Sequence, residues 1–213
     1  MYRLITAFVA ATMSVGAAQA GSTAAPVELR QPRSLLAMSP AAFRSATIVQ
    51  DDPLESHATL STEKAHRERW TWLKPDGHDN HLRAIVDKTS GATHYEVRTT
   101  VRYFGTQRDY RSAHFATEGG LRRAELSLAR HGRENCATND NNFNCALTKT
   151  IAFTVDEDVI RAIAARHAVG KPESWRFKLK DDGGNDIVSG IVPAEAAGLL
   201  DAVDGYRSTL RLS

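Results

Sequence analysis

The sequence predicts an α+β fold: an antiparallel β-meander sheet with two helices packed on one face and one disulfide-clipped hairpin. Three observations point there. Apolar and polar residues alternate through much of 81–155 with period two, the pattern of strands with one buried and one wet face. The period becomes helical at 156–169 and again after Pro193. Glycine- and asparagine-rich clusters divide the strand-like runs, and the two cysteines bracket one of those clusters.

The elements follow in order from about His57. His81 to Lys88, the turn Thr89-Ser90-Gly91 and Ala92 to Phe104 read as a hairpin. In its second strand Tyr95, Val97, Val101 and Tyr103 share one side, and His94, Glu96, Arg98 and Arg102 the other. Gly105 breaks the run, Asp109 to Thr117 resumes it, and Glu118-Gly119-Gly120 turns it into Leu121 to His131. There Ala124, Leu126 and Leu128 are expected to face inward. Leu147 to Val155 adds a fifth strand, with Ile151, Phe153 and Val155 inward.

Asp156 to Val169 carries Val159, Ile160, Ile163 and His167 on one helical face. Acidic residues sit at its positive end, and Gly170 ends it. Trp175, Phe177 and Leu179 then alternate with Arg176, Lys178 and Lys180, and a Gly-Gly turn leads to a short strand ending at Val192. Pro193 opens a last helix with an apolar stripe of Leu199, Leu200 and Val203.

Ahead of this domain, residues 1–20 read as a signal peptide: Arg3, an apolar run from Leu4 to Gly16, then Ala18-Gln19-Ala20 before the expected cut. The run is shorter than the roughly 20 residues a membrane anchor needs. Gly21, rather than Cys, follows the cut, so no lipid anchor is expected. Localisation is therefore expected to be periplasmic or secreted after cleavage near Ala20, and the absence of an Asn-x-Ser/Thr acceptor favours a bacterial envelope. Residues 21–54, rich in Ala, Ser and Pro, read as a flexible leader in which Ser39-Pro40 resembles a helix start. Residues 55–213 read as a single α+β domain.

Loss of residues 1–20 removes one arginine and no acid, taking the formal charge from +2 to +1. Such a chain has no general attraction for nucleic acid or anionic lipid, so no nucleic-acid partner and no membrane span are expected. Cys136 and Cys145 enclose a polar tip and, in an oxidising compartment, read as a structural disulfide worth about 2.7 kcal/mol by chain entropy. Their spacing and strand-like surroundings differ from those of a redox pair.

Chemistry-bearing clusters are few. Asp76-Gly77-His78-Asp79-Asn80-His81 offers nitrogen and oxygen donors for a transition metal, with His57 and His66 as recruits, but its composition is also that of a turn. Asp181 to Asp186 and Asn139 to Asn144 offer oxygen ligands for calcium without the spacing of an EF-hand, and again read as turns. Glu96 and Glu125 could face each other as an acid/base pair, although Arg98, Arg102 and Arg123 suggest cross-strand ion pairs instead. His94, Glu96, Arg98, Arg102, Arg123 and Glu125 together would form a mixed-charge face, the leading binding surface in the sequence, although exposed sheet faces are routinely polar; Trp70 and Trp72 project to the same side if they lie on a strand, where core packing or a hairpin edge also explains them.

No Gly-x-Ser-x-Gly, His-Glu-x-x-His or phosphate-binding glycine motif occurs, and no run of residues is specific to one family. No residue is assigned a catalytic, metal or cofactor role, and no cofactor is expected. The expectation is an exported soluble envelope protein acting by non-catalytic binding of a protein or small-molecule ligand, its oligomeric state open. A small periplasmic hydrolase or a metal-binding module is the alternative.

Overall fold

The computed structural model describes residues 29, 31–67, 77–134, 145–168, 170 and 173–210. Along them run α1 (Arg33–Leu36), α2 (Pro40–Ala46), β1 (Ile48–Gln50), β2 (His57–Ser61), β3 (Gly77–Asp87), β4 (Thr93–Tyr103), β5 (Tyr110–Thr117) and β6 (Gly120–Glu134). Then follow β7 (Ala146–Val155), α3 (Glu157–Ala168), β8 (Trp175–Asp181), β9 (Ile187–Ile191) and α4 (Pro193–Arg207). The expected signal peptide, Trp70, Trp72 and Asn139 to Asn144 lie outside the described residues.

The expected α+β meander is corrected. Strands account for 47% of the described residues and form one nine-stranded antiparallel sheet curled into a half-barrel, with four short helices. Strand order is β1-β2-β3-β4-β7-β6-β5-β8-β9, so β4 bonds to β7 rather than to β5. The reason lies between β4 and β5, where Phe104 to Asp109 is not a hairpin turn. Gly105 takes a positive φ of 89°, the Arg108 amide donates to the Tyr103 hydroxyl at 3.2 Å, and the buried Lys149 of β7 donates to the Arg108 carbonyl at 3.2 Å. The segment therefore crosses β7 and β6 before β5 begins. Of the two cysteines expected to form the clip, Cys136 lies outside the described residues, and Cys145 is buried just before β7 and is not a free thiol. Backbone pairing from Leu126↔Phe153 to Glu134↔Ala146 joins β6 to β7.

Within β3 and β4 the alternation translates directly into burial. Leu82, Ala84 and Val86 face inward opposite Val97, Tyr95 and Thr93. Asp87 closes their turn by accepting from the Thr89 and Ser90 amides at 3.0 and 2.7 Å, and Gly91 supplies the positive φ. In β6 the alternation is interrupted. A bulge between Leu126 and Leu128 inserts Ser127, so Leu128 pairs with Ala152 on the opposite face from Leu126 instead of joining it inward.

Sheet curl brings together rings from strands that are not neighbours. Phe115 of β5 stacks on Phe153 of β7 at 5.8 Å, and Trp175 and Phe177 of β8 complete the cluster at centroid separations of 5.2 to 5.8 Å. Burying each ring contributes about 2–3 kcal/mol. The indole nitrogen of Trp175 donates to the Ala116 carbonyl at 3.1 Å, so its burial leaves no donor unserved.

α3 and α4 pack on each other within the curl and fill it with Val159, Ile160, Ile163, Leu199, Leu200 and Val203. α4 is also covered by α2, whose Ser39 cap accepts from the Ala42 amide at 3.2 Å. Phe43 of α2, 1% exposed, packs with Val192 and Ala194, and contact is close because residue 198 is glycine. Thus α1, α2 and β1 occupy part of 21–54, the span whose composition suggested a mobile leader. At the far end Arg207 ties α4 to the Gly91 carbonyl at 2.9 Å and to Glu157 at 3.1 Å.

Candidate functional site

The half-barrel does not close by backbone pairing. β2 covers β3 only from Arg83 to Asp87, leaving the Gly77–Leu82 half of β3 with an open edge that approaches β9. Side chains bridge this seam. Asn80 donates to Ser189 Oγ at 2.6 Å and to the Gly190 carbonyl at 3.3 Å, while its own oxygen accepts from Thr99 at 2.9 Å. Gln31, before α1, donates to the same Gly190 carbonyl at 3.0 Å.

Beside these bridges lies a cleft of about 330 Å³, at the lower end of the range for small-molecule pockets. Leu29, Pro32, Leu35 and Ile187 form its apolar wall, and His66, His78, Asp79, Arg108 and Glu195 bring titratable groups to it. Glu195 is the most unusual of these. It is the third residue of α4, where an acid suits the positive helix end, yet it is only 3% exposed. Its Oε1 accepts from the Thr62 hydroxyl at 2.6 Å and from the Leu82 amide at 3.0 Å, satisfying the open edge of β3. Burial pushes this carboxyl up to about 7, with Asp79 adding to the rise and the Thr62 and Leu82 hydrogen bonds opposing it.

Arg108 reaches the cleft from the segment that crosses β7. Lys149, 1% exposed, holds that segment through the Arg108 carbonyl and through Asp109 at 3.1 Å. The Arg108 guanidinium lies over the Tyr103 ring at 4.6 Å. His66 shares a hydrogen bond with Ser34 at 3.2 Å.

The histidines proposed for a metal are only partly brought together. His78 and His66 line the cleft, whereas His81 falls on the opposite face of β3 and His57 pairs with Asp87 at the strand's other end. Burial pushes His81 down to about 4, so it is neutral at pH 7. Glu63 opposes that shift, and Arg98, Arg67 and Arg83 add to it. Among the described residues no three His, Cys, Asp or Glu side chains gather as a metal set.

The calcium-like run at 181–186 is a self-satisfied turn. Asp181 accepts from the Gly183 and Asn185 amides at 3.1 Å each, from the Asn185 side chain at 2.9 Å and from the Asp109 amide at 2.5 Å. Burial raises its pKa, but these hydrogen bonds outweigh burial and hold it below the ordinary value. Asp186 pairs with Lys180.

On the outer face, β7 separates β4 from β6, and the glutamates there are engaged with arginines. Glu96 accepts from Arg98 at 3.1 Å and from Ser127 at 3.3 Å, and Glu125 pairs with Arg123 at 2.8 Å. Arg102 pairs with Glu134 at 3.7 Å and lies over Phe104. Two other hollows are broader. One of about 650 Å³ adjoins Tyr103, His131 and Leu147, and one of about 690 Å³ lies along Gln50 to Thr59, where Asp51 is held by Lys88 at 2.5 Å and Tyr206 at 2.8 Å.

Sequence reading placed His78 in a candidate cluster but missed Glu195, because its partners Thr62 and Leu82 stand far away in the chain. The one local signal was an acid two residues after the proline that opens α4. In comparisons with protein families, characterised proteins and solved structures, nothing matches this chain. Among the described residues, no helix is long and apolar enough to cross a membrane.

Proposed function

We propose that this chain is an exported envelope protein, periplasmic or secreted, that binds a small polar molecule in the cleft at the sheet seam. The observation that carries the reading is the convergence of His66, His78, Asp79 and Glu195 on one cleft of about 330 Å³. The concave face of the sheet, by contrast, is filled by its own side chains and by α3 and α4. Export is supported by the charged, apolar and small-residue pattern of residues 1–20.

The test is an amide-shift titration of the protein with a library of small metabolites. A ligand of this cleft shifts Asn80, Leu82 and Gly190 together. Ligands that shift only the outer strands, or no ligand at all, would refute the reading. Sequencing the N-terminus of protein recovered from the envelope tests export, with Gly21 as the expected first residue.

Glu195 favours one second reading. A buried carboxyl poised near neutrality suits general acid/base work, as a small hydrolase would need. Turnover of an ester or amide panel, abolished by Glu195→Gln in a folded protein, would support it.

A further inference from the structure

The chemistry of the ligand follows from what Glu195 lacks. Its Oε1 is served by a hydroxyl and an amide, whereas no donor among the described residues reaches Oε2. That oxygen is not among the fully enclosed unpartnered atoms, so it keeps an opening to the cleft, and a carboxylate only 3% exposed gains when a charge partner arrives there. Asp79, on the same cleft, adds negative charge and disfavours an anionic guest. The cationic side chain there already has a seat, the Arg108 guanidinium lying over Tyr103, and His66 is bonded to Ser34. The remaining wall is aliphatic, formed by Leu29, Leu35 and Ile187.

We infer that the seam cleft is built for a small aliphatic amine, whose ammonium is received by the Glu195 carboxylate and whose chain lies against Leu29, Leu35 and Ile187. The inference rests on the binding reading above and names the ligand class for that site. An ammonium donates to Oε2 without displacing Thr62 or the Leu82 amide, so the guest completes the carboxylate's bonding and leaves the open edge of β3 satisfied. Specificity against carboxylates comes from the charge of the Glu195 carboxylate, and against larger amines from the volume of about 330 Å³.

The experiment is calorimetric titration of n-butylamine, butyrate and n-butanol into the full protein, Glu195→Gln and Leu35→Trp. The first variant keeps the hydrogen-bond acceptor but removes the charge. The second fills the aliphatic wall and leaves Glu195 in place. Butylamine is expected to bind in preference to the other two. Glu195→Gln is expected to weaken it roughly tenfold to a hundredfold, as for loss of one charge-assisted hydrogen bond, and Leu35→Trp is expected to weaken it by occupying the space its chain needs.

Equal binding of butylamine by wild type and a folded Glu195→Gln overturns the inference. If Glu195→Gln does not fold, the preference among the three probes and the Leu35→Trp result decide it. Binding of butyrate or butanol in preference, lost in Leu35→Trp, overturns the amine class while leaving a small-molecule cleft in place. Failure of all three probes overturns the inference, and the cleft reading then falls only if the metabolite library also yields no ligand.

Discussion

Gly198→Ala sets helix propensity against packing, and the geometry says which wins. In an exposed helix interior the substitution is worth about 1 kcal/mol of stabilisation. At position 198 the new Cβ would stand 2.5 Å from the Pro40 carbonyl oxygen, 2.6 Å from Phe43 Cβ and 3.0 Å from the Arg44 nitrogen. Two of these are backbone atoms, which no change of rotamer can move. Ordinary carbon contacts lie near 3.5–4.0 Å, so α2 must retreat by about 1 Å. That displacement loosens Phe43 from Val192 and Ala194, and overpacking of this kind costs about 1–3 kcal/mol. The two terms leave a net loss of up to about 2 kcal/mol, lowering Tm by up to about 4–8 °C.

Gly205→Ala, in the same helix, is the control. Its Cβ would meet only Arg44 Nη2, at 3.6 Å, so it is expected to gain up to about 1 kcal/mol. Urea unfolding of both variants at one pH gives the comparison. A Gly198→Ala protein as stable as Gly205→Ala, or more stable than wild type, would show that α2 does not dock on α4 as described.

Three further predictions test the site and its supports. Because burial raises Glu195 from 4.5 to about 7, the folded state holds its proton more tightly than the unfolded chain. The resulting stabilisation is full below pH 4.5 and is lost as pH rises to about 7. Glu195→Gln should therefore flatten the pH dependence of urea unfolding over that window by about 3 kcal/mol, and an unchanged slope refutes the assignment. Asn80→Ala strips partners from the buried Ser189 and Thr99 hydroxyls and should cost about 2–3 kcal/mol while speeding amide exchange in β9; unaltered exchange there would mean the seam is held otherwise. Asp109→Ala leaves the Lys149 ammonium buried with less compensation, so it should cost more stability than Lys149→Met, and the reverse order would remove Lys149 as the anchor of the crossing segment.

Most strands, and the helices α3 and α4, were legible where their signals are local. Tyr95, Val97, Val101 and Tyr103 alternate because a strand presents successive side chains to opposite faces, and that rule needs no knowledge of the partner strand. Ser39-Pro40 and Pro193 marked helix starts for the same reason. β2 was missed because Ala58 and Leu60 are too short an alternation to stand out from turn-like surroundings. The inward placement of Leu128 failed at the Ser127 bulge, which depends on how β6 meets β7. The candidate site was half legible: His78 stood in a noticed cluster, but the metal idea joined it to His81, which the pleat turns to the opposite face of β3.

Sequence alone determined the local periods, the turns and the caps, because each rests on residues within a few positions of one another. It also holds the charged, apolar and small-residue pattern of residues 1–20 on which the export proposal rests, and which lies outside the described residues. Only the tertiary structure decided that β4 pairs with β7, that the half-barrel leaves a seam between β3 and β9, and that Glu195 is buried beside it. Those outcomes depend on non-local contacts. Thr62 and Glu195 are 133 residues apart, and the desolvation that sets the carboxyl's chemistry arises only when the curled sheet brings them together.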